Sequence, residues 1–535
     1  MGVVPFGPCT DAWRLPRPAL RQITRYPALI VLDLSLSNTV YILRDLTTLC
    51  RHSSPGFYHT ENDWESIASG GRCSQEVILD AVSGSMPEST EIRRNYVYVI
   101  SAIAAMGGFL FGYDLDVIIG AIIFLQKQFL LNPVQTGFAV SCASIGCIIG
   151  PLVGGPAADW LGRKKTLVVT ALIFSIGTIG TIFPKTIAEF DFFRIVGGVG
   201  IGLASVTSPM YIAEIAPARL RGRLVTVNQL AIVVGALSSI IVSYFLSHSG
   251  NWRAMFAYEL VPVILFFVGL AFVPESPRWL FEKKRIEEAR NVLGKIYRSA
   301  AGIEQELQIM HQTDIEEPGT FAELLRPGIR KALLIAAALA IFQQMTGASP
   351  LTFYMPIIFQ QAGFKNASDA IFQTVVLNVW DVFCTLLAMW LVERLGRRPL
   401  LLIGISGMGT SLTLMGFFFA RHATGEFVVA VMMLCIGFYI ISLAPLAWLI
   451  MSEIFPTRLR GKAMGVASIF LWGATFVGTQ ILPSLSAYMQ KNFNSIAGVF
   501  WVFAVVCAIA LIFSWYMVPE TKGRSLEEIG QSWTK

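Results

Sequence analysis

Two ionisable side chains stand inside otherwise apolar sequence. Asp114 lies in Phe111-Gly112-Tyr113-Asp114, and Arg194 opens another apolar run. A charge in such a run is expensive and marks a functional site by default. Burial raises the pKa of a carboxyl group and a nearby guanidinium lowers it, so a motion that alters their separation alters proton affinity. Reversible proton uptake is the chemistry this pair suits; a permanent structural ion pair is the plain alternative. Asp116 sits nearer the outer end of the same run, where a functional role and simple contact with water are equally open readings. Gln343 and Gln344 are adjacent in a third apolar run. An amide both donates and accepts, so the pair suits either an uncharged polar ligand or helix–helix hydrogen bonds.

A second set of charges comes in matched blocks. Asp159-Trp160-Leu161-Gly162-Arg163-Lys164 returns as Glu393-Arg394-Leu395-Gly396-Arg397-Arg398. Glu214-Ile215-Ala216-Pro217-Ala218-Arg219-Leu220-Arg221-Gly222-Arg223 returns as Glu453-Ile454-Phe455-Pro456-Thr457-Arg458-Leu459-Arg460-Gly461-Lys462. Pro274-Glu275-Ser276 returns as Pro519-Glu520-Thr521. Three blocks recur in one order at nearly one spacing, so a unit has been duplicated in parallel orientation. Basic loops alone would meet the demands of topology, yet the acids recur as well. Arg beside Glu or Asp at a helix end forms charge-assisted bonds. The blocks therefore read as a latch between two halves, with Asp159, Arg163, Glu214, Arg221, Glu393, Arg397, Glu453 and Arg460 as its members.

The elements that carry these residues follow from composition. Of 535 residues 54% are hydrophobic and only 14% charged, against about 25% charged in soluble domains. The mean hydropathy is +0.61. Apolar stretches long enough to cross a bilayer are expected near 96–120, 136–158, 165–184, 190–213, 225–247 and 254–273, then 330–358, 370–392, 399–419, 427–450, 463–485 and 496–518. The fold class is thus an all-α membrane protein of twelve spans in two six-helix halves, 94–273 and 330–518. The polar stretch 274–329 between them holds short amphipathic helices, and 519–535 forms a tail. Residues 1–93 match neither half. They read as a disordered extension or as a segment ahead of a start at Met86, and no standard signal peptide is evident.

The net charge of +6 is distributed by topology rather than gathered for nucleic acid. Lys and Arg collect in alternate loops, which places both ends of the membrane region in the cytoplasm of a cell (plasma or inner) membrane. Cys142, Cys147, Cys384, Cys435 and Cys507 sit in apolar helices and form no metal or redox pattern. With no nucleotide loop, metal cluster or nucleophile motif, an enzyme is excluded, and neither cofactor nor metal is expected.

The Gly-Arg pairs, the repeated Glu–Pro–Arg-Gly blocks, Pro274-Glu275-Ser276-Pro277-Arg278-Trp279 and Pro519-Glu520-Thr521-Lys522-Gly523 resemble the sugar porter family of the major facilitator superfamily, and within it the bacterial xylose–proton symporters. The resemblance covers about 96–526. It implies a secondary transporter that carries a sugar or polyol with a proton, as a monomer in a lipid bilayer, by alternating access. A facilitative uniporter is the alternative, and a sugar sensor of the same fold is a weaker one. For such a ligand, amides and aromatic faces are needed. The candidates are Gln229, Gln343, Gln344, Ser349, Asp381, Trp448 and Trp472, with Phe353 and Tyr354 near an outer gate. Both Trp residues could instead be interfacial anchors. The family usually has Gly-Ile-Asn where this chain has Gly347-Ala348-Ser349, Gln where it has Ala236 and Leu471, and Asn where it has Asp381. These departures imply altered sugar contacts and one added carboxylate.

Overall fold

The computed structural model describes residues 92–313, 321–421 and 425–521. The expectations for the chain before 92 and for most of the tail lie outside these residues. A bilayer leaves no water for unpaired backbone groups, so an apolar chain of this length must form helices that satisfy their own hydrogen bonds. The described residues do so: they are helical apart from short connections, with a lone bridge between Ile92 and Tyr297.

Among the described residues, twelve helices are long and apolar enough to cross a membrane. The first six are Arg94–Phe129, Pro133–Leu161, Arg163–Ile182, Ile187–Ile215, Ala218–Ser247 and Trp252–Phe272. The last six are Gly328–Phe353, Ala367–Val392, Arg397–Ala420, Glu426–Glu453, Leu459–Phe493 and Ala497–Met517. Between the sets lie the short helices Pro277–Glu282, Ile286–Ile296 and Ala300–Thr313. In Ile286–Ile296 the buried residues Ala289, Val292, Leu293 and Ile296 recur at helical spacing, so one stripe is covered and the charged remainder faces out.

The duplication in sequence reappears in packing. The first span packs on the fifth, the second on the fourth and the third on the sixth; the seventh packs on the eleventh, the eighth on the tenth and the ninth on the twelfth. The halves meet through the second span with the eleventh and the fifth with the eighth. Polar and aromatic bridges mark these seams. Ser141 donates to Gln480 at 2.9 Å, and the Gln480 amide donates to the Val134 carbonyl at 3.0 Å. Ser247 and Ser368 share a hydrogen bond of 2.9 Å. Phe138 meets Phe476 edge-on at 6.4 Å, and Tyr244 lies 5.4 Å from Phe372. All of these sit toward the span ends remote from the Gly162 and Gly396 turns.

Four spans are interrupted. The second bends at Cys142, the sixth is split at Tyr258-Glu259, the tenth breaks at Ser442, and the seventh breaks at Thr346-Gly347. Gly347 has φ +98°, a conformation that costs glycine little and other residues much. The break frees backbone groups at membrane depth, and such backbone is tolerated where protein or a cavity surrounds it.

Candidate functional site

Asp114 and Arg194 are brought together. Arg194 Nη1 donates to the Asp114 carboxylate and, at 2.9 Å, to the Asp114 carbonyl. Arg194 is 1% exposed and Asp114 4%. Span four provides the room: a side chain added at Gly197 would run into Asp114 Oδ2 at 2.7 Å. The guanidinium rests 5.6 Å from the Phe256 ring, which packs edge-on against Phe190. Only one guanidinium nitrogen is engaged; Nε and Nη2 are buried without a hydrogen bond.

The pocket holds a third ionisable group that the sequence reading passed over. Glu259 sits in the break of span six, fully buried. Its carboxylate makes no hydrogen bond of ordinary geometry, although the Thr178 hydroxyl lies beside it and Asp114 and Arg194 are within electrostatic reach. Glu259 falls near the start of an apolar run, a position where acids are commonly solvated, and that disguised it.

The amide pair lies at the break in span seven. Gln343 is 3% exposed and donates to the Ala444 carbonyl at 2.7 Å, which ties span seven to the break in span ten. Its carbonyl oxygen is buried with no partner. Gln344 is buried beside it, and Ser349 is half-buried past the break. Trp448 lies one turn beyond Ala444 and is partly exposed. Trp472 is buried and touches Phe111 across the two halves, with ring centroids 6.1 Å apart. That contact sets it one turn from Asp114. Asp381 keeps one buried, unpartnered oxygen, and the charge that bears on it is Asp116 of the opposite half. Gln229 is exposed on span five, and no hydrogen bond joins it to the amide pair. Tyr354 is buried and donates to the Thr479 carbonyl at 3.1 Å, which fixes the outer part of span seven to span eleven.

The charged blocks form two matching clusters. Arg163 binds Glu214 through Nη2 at 2.9 Å and Nε at 3.1 Å, and meets Asp159 at 3.3 Å. Ser276 donates to the other Glu214 oxygen at 2.5 Å, and Glu275 accepts from the Lys164 backbone at 3.0 Å. In the other half Arg397 binds Glu453 at 3.1 Å, Thr521 donates to Glu453 at 2.5 Å, and Glu520 accepts from the Arg397 and Arg398 backbone, each at 3.1 Å. Glu275 and Glu520 therefore cap the first turns of spans three and nine, where the helix dipole favours an anion. Gly162 and Gly396 make the turns with φ +96° and +89°, and a side chain at Gly162 would collide with the Glu275 carboxylate. These clusters close within each half in this conformation; the sequence expectation of bonds running between the halves is not met by these pairs. Arg221 is exposed near Tyr297, two nitrogens of Arg460 are buried without partners, and the Glu393 side chain lies outside the described residues. Glu282, at 3.9 Å from Arg163, has its carboxyl pKa raised, because partial burial outweighs the pull of that guanidinium.

Residues 100–533 match the family described as "Sugar (and other) transporter". The chain belongs to that family. It is a multi-pass membrane transporter of the major facilitator fold, and not an enzyme. Among its relatives, it is 35% identical to the arabinose-proton symporter of Bacillus subtilis (strain 168), over 84% of this chain and 98% of that one. It is 34% identical to the D-xylose-proton symporter of Escherichia coli (strain K12), over 83% and 97%. Its structure resembles the inward open xylose transporter XylE from E. coli at 33% identity and a TM-score of 0.70, covering 82% of this chain and all of that one. The partially occluded inward open form gives 0.71 at 33% identity over 81% and 100%. XylE bound to 6-bromo-6-deoxy-D-glucose gives 0.66 at 34% over 82% and 99%.

Proposed function

We propose that this chain carries a sugar or polyol across the cell membrane together with a proton, by alternating access. The buried Asp114–Arg194 pair, with Glu259 in the same pocket, is the observation that carries this reading. A carboxylate in apolar surroundings holds its charge only while a cation attends it. Loosening the pair lets Asp114 take a proton; closing it expels one. The named activities of the arabinose- and D-xylose-proton symporters agree with such coupling.

With the basic loops on the cytoplasmic side, the seams at Ser141–Gln480 and Ser247–Ser368 lie on the outer side, and the described conformation faces inward. The sugar enters between the halves. Gln343, Gln344, Ser349 and Gln229 offer hydrogen bonds, Trp448 and Trp472 offer ring faces, and the unpartnered oxygens of Gln343 and Asp381 are acceptors that hydroxyls would satisfy. The Arg163 and Arg397 clusters brace the cytoplasmic ends of each half, and both termini of the membrane region are cytoplasmic. The protein works as a monomer in the lipid bilayer.

The test is uptake into proteoliposomes of labelled sugars, polyols and sugar acids, with and without an imposed pH step. Accumulation of at least one sugar or polyol that follows the step is expected. If transport occurs but ignores the step, the protein is a uniporter and the symport reading fails.

A further inference from the structure

Span four carries another acid that faces Arg194. Asp191 and Arg194 are three residues apart on one helix, and residues so spaced share a face one above the other. Asp191 is 9% exposed, and its Oδ1 is buried with no hydrogen bond. The charge of Arg194 also acts on Asp191. On the other side of Arg194 along the same face lies Gly197, against which Asp114 rests. The guanidinium is thus set between two carboxylates, Asp114 toward Gly197 and Asp191 one turn toward the Ile187 end. It engages only the first, although two of its nitrogens are unused.

We propose that Asp191 is the alternate anchor for Arg194, receiving the guanidinium when Asp114 takes up its proton. A protonated Asp114 no longer balances Arg194, and a buried cation without an anion is costly. Asp191 can supply the anion after a change of side-chain rotamer alone, because both residues ride on one helix and keep their spacing whatever the halves do. The step moves one proton from solution to Asp114 Oδ1 and shifts one guanidinium; no other bond changes. The remaining titratable groups that face the pair are Asp116 on span one, Cys142 and Cys147 on span two and Glu259 on span six. Cys142 lies within reach of both Asp191 and Arg194. Asp191 is therefore a positioning residue that sets the proton affinity of Asp114. The inference rests on the symport reading.

The probe is the proton alone. The reconstituted full-length chain is titrated while infrared absorption of protonated carboxyl groups is followed, with Asp114→Asn identifying the Asp114 band. Asp191→Asn should lower the proton affinity of that band at least tenfold, and Asp191→Glu should restore it. In an Arg194→Lys background, whose shorter cation cannot span both acids, Asp191→Asn should have a much smaller effect. An unmoved midpoint in folded Asp191→Asn overturns the proposal, as does an equal shift in the Arg194→Lys background, which would mean that Asp191 acts through its field alone. If Asp191→Asn does not fold, Asp191→Ser is titrated against the same criteria. A wild-type band absent at every pH would remove the symport reading and this inference together.

Discussion

In the proposed cycle, energy coupling turns on Asp114. Asp114→Asn mimics the protonated form permanently, so it should retain exchange of labelled for unlabelled sugar at equilibrium and lose uptake against a gradient; both are read in proteoliposomes. Removing the other partner is harsher. Arg194→Ala leaves a buried carboxylate without its cation, a loss of about 3–5 kcal/mol where such pairs are broken, and thermal unfolding in detergent should register it. In the sugar path, Gln343→Ala should weaken binding by about 1–3 kcal/mol, the scale for leaving a buried partner unpaired. Asp381→Asn should leave coupling intact and change which sugars compete for uptake. Asp114 and Arg194 were legible in the sequence because charge in an apolar run has few innocent explanations. Glu259 and Asp191 were not, because each lies within a few residues of a span's start, where an acid normally reaches water.

At the scale of elements, the duplicated blocks announced two equivalent units, and packing of span one on five and seven on eleven reflects that symmetry. What the blocks could not tell is which side chains close on which. Arg163 was expected to reach across the halves; it reaches Glu214 of its own half because span four ends beside the turn at Gly162. Nor did Pro274-Glu275-Ser276 and Pro519-Glu520-Thr521 declare their role, since a helix cap supplied from more than a hundred residues away leaves no local signature. Glu275→Gln keeps the acceptor oxygen but loses the charge at the start of span three. It should cost about 0.3–1 kcal/mol, with Glu520→Gln matching it in the other half; chemical denaturation of the two variants makes the comparison. The breaks at Gly347 and Ser442 were equally hidden, because an interrupted helix keeps the apolar composition of an intact one.

For the molecule as a whole, the outer seam predicts a reversible lock. Ser141→Cys with Gln480→Cys, in a background free of other cysteines, should be joined by a short bifunctional thiol reagent, since the native side chains are 2.9 Å apart. Transport should stop on cross-linking and, with a reagent that joins the two thiols through disulfides, return on reduction. Free transport after cross-linking would mean that these spans do not separate. In the proposed cycle Asp114 gains and loses one proton for each sugar. Arg194 keeps its charge, being a guanidinium, so each completed cycle transfers one elementary charge. The carrier then answers to voltage as well as to pH. A membrane potential of 100 mV supplies about 2.3 kcal/mol per charge, which corresponds to roughly fiftyfold sugar accumulation with no pH difference at all. A resting cell with neutral surroundings would still fill, and adding sugar to a clamped membrane should draw an inward current that Asp114→Asn abolishes.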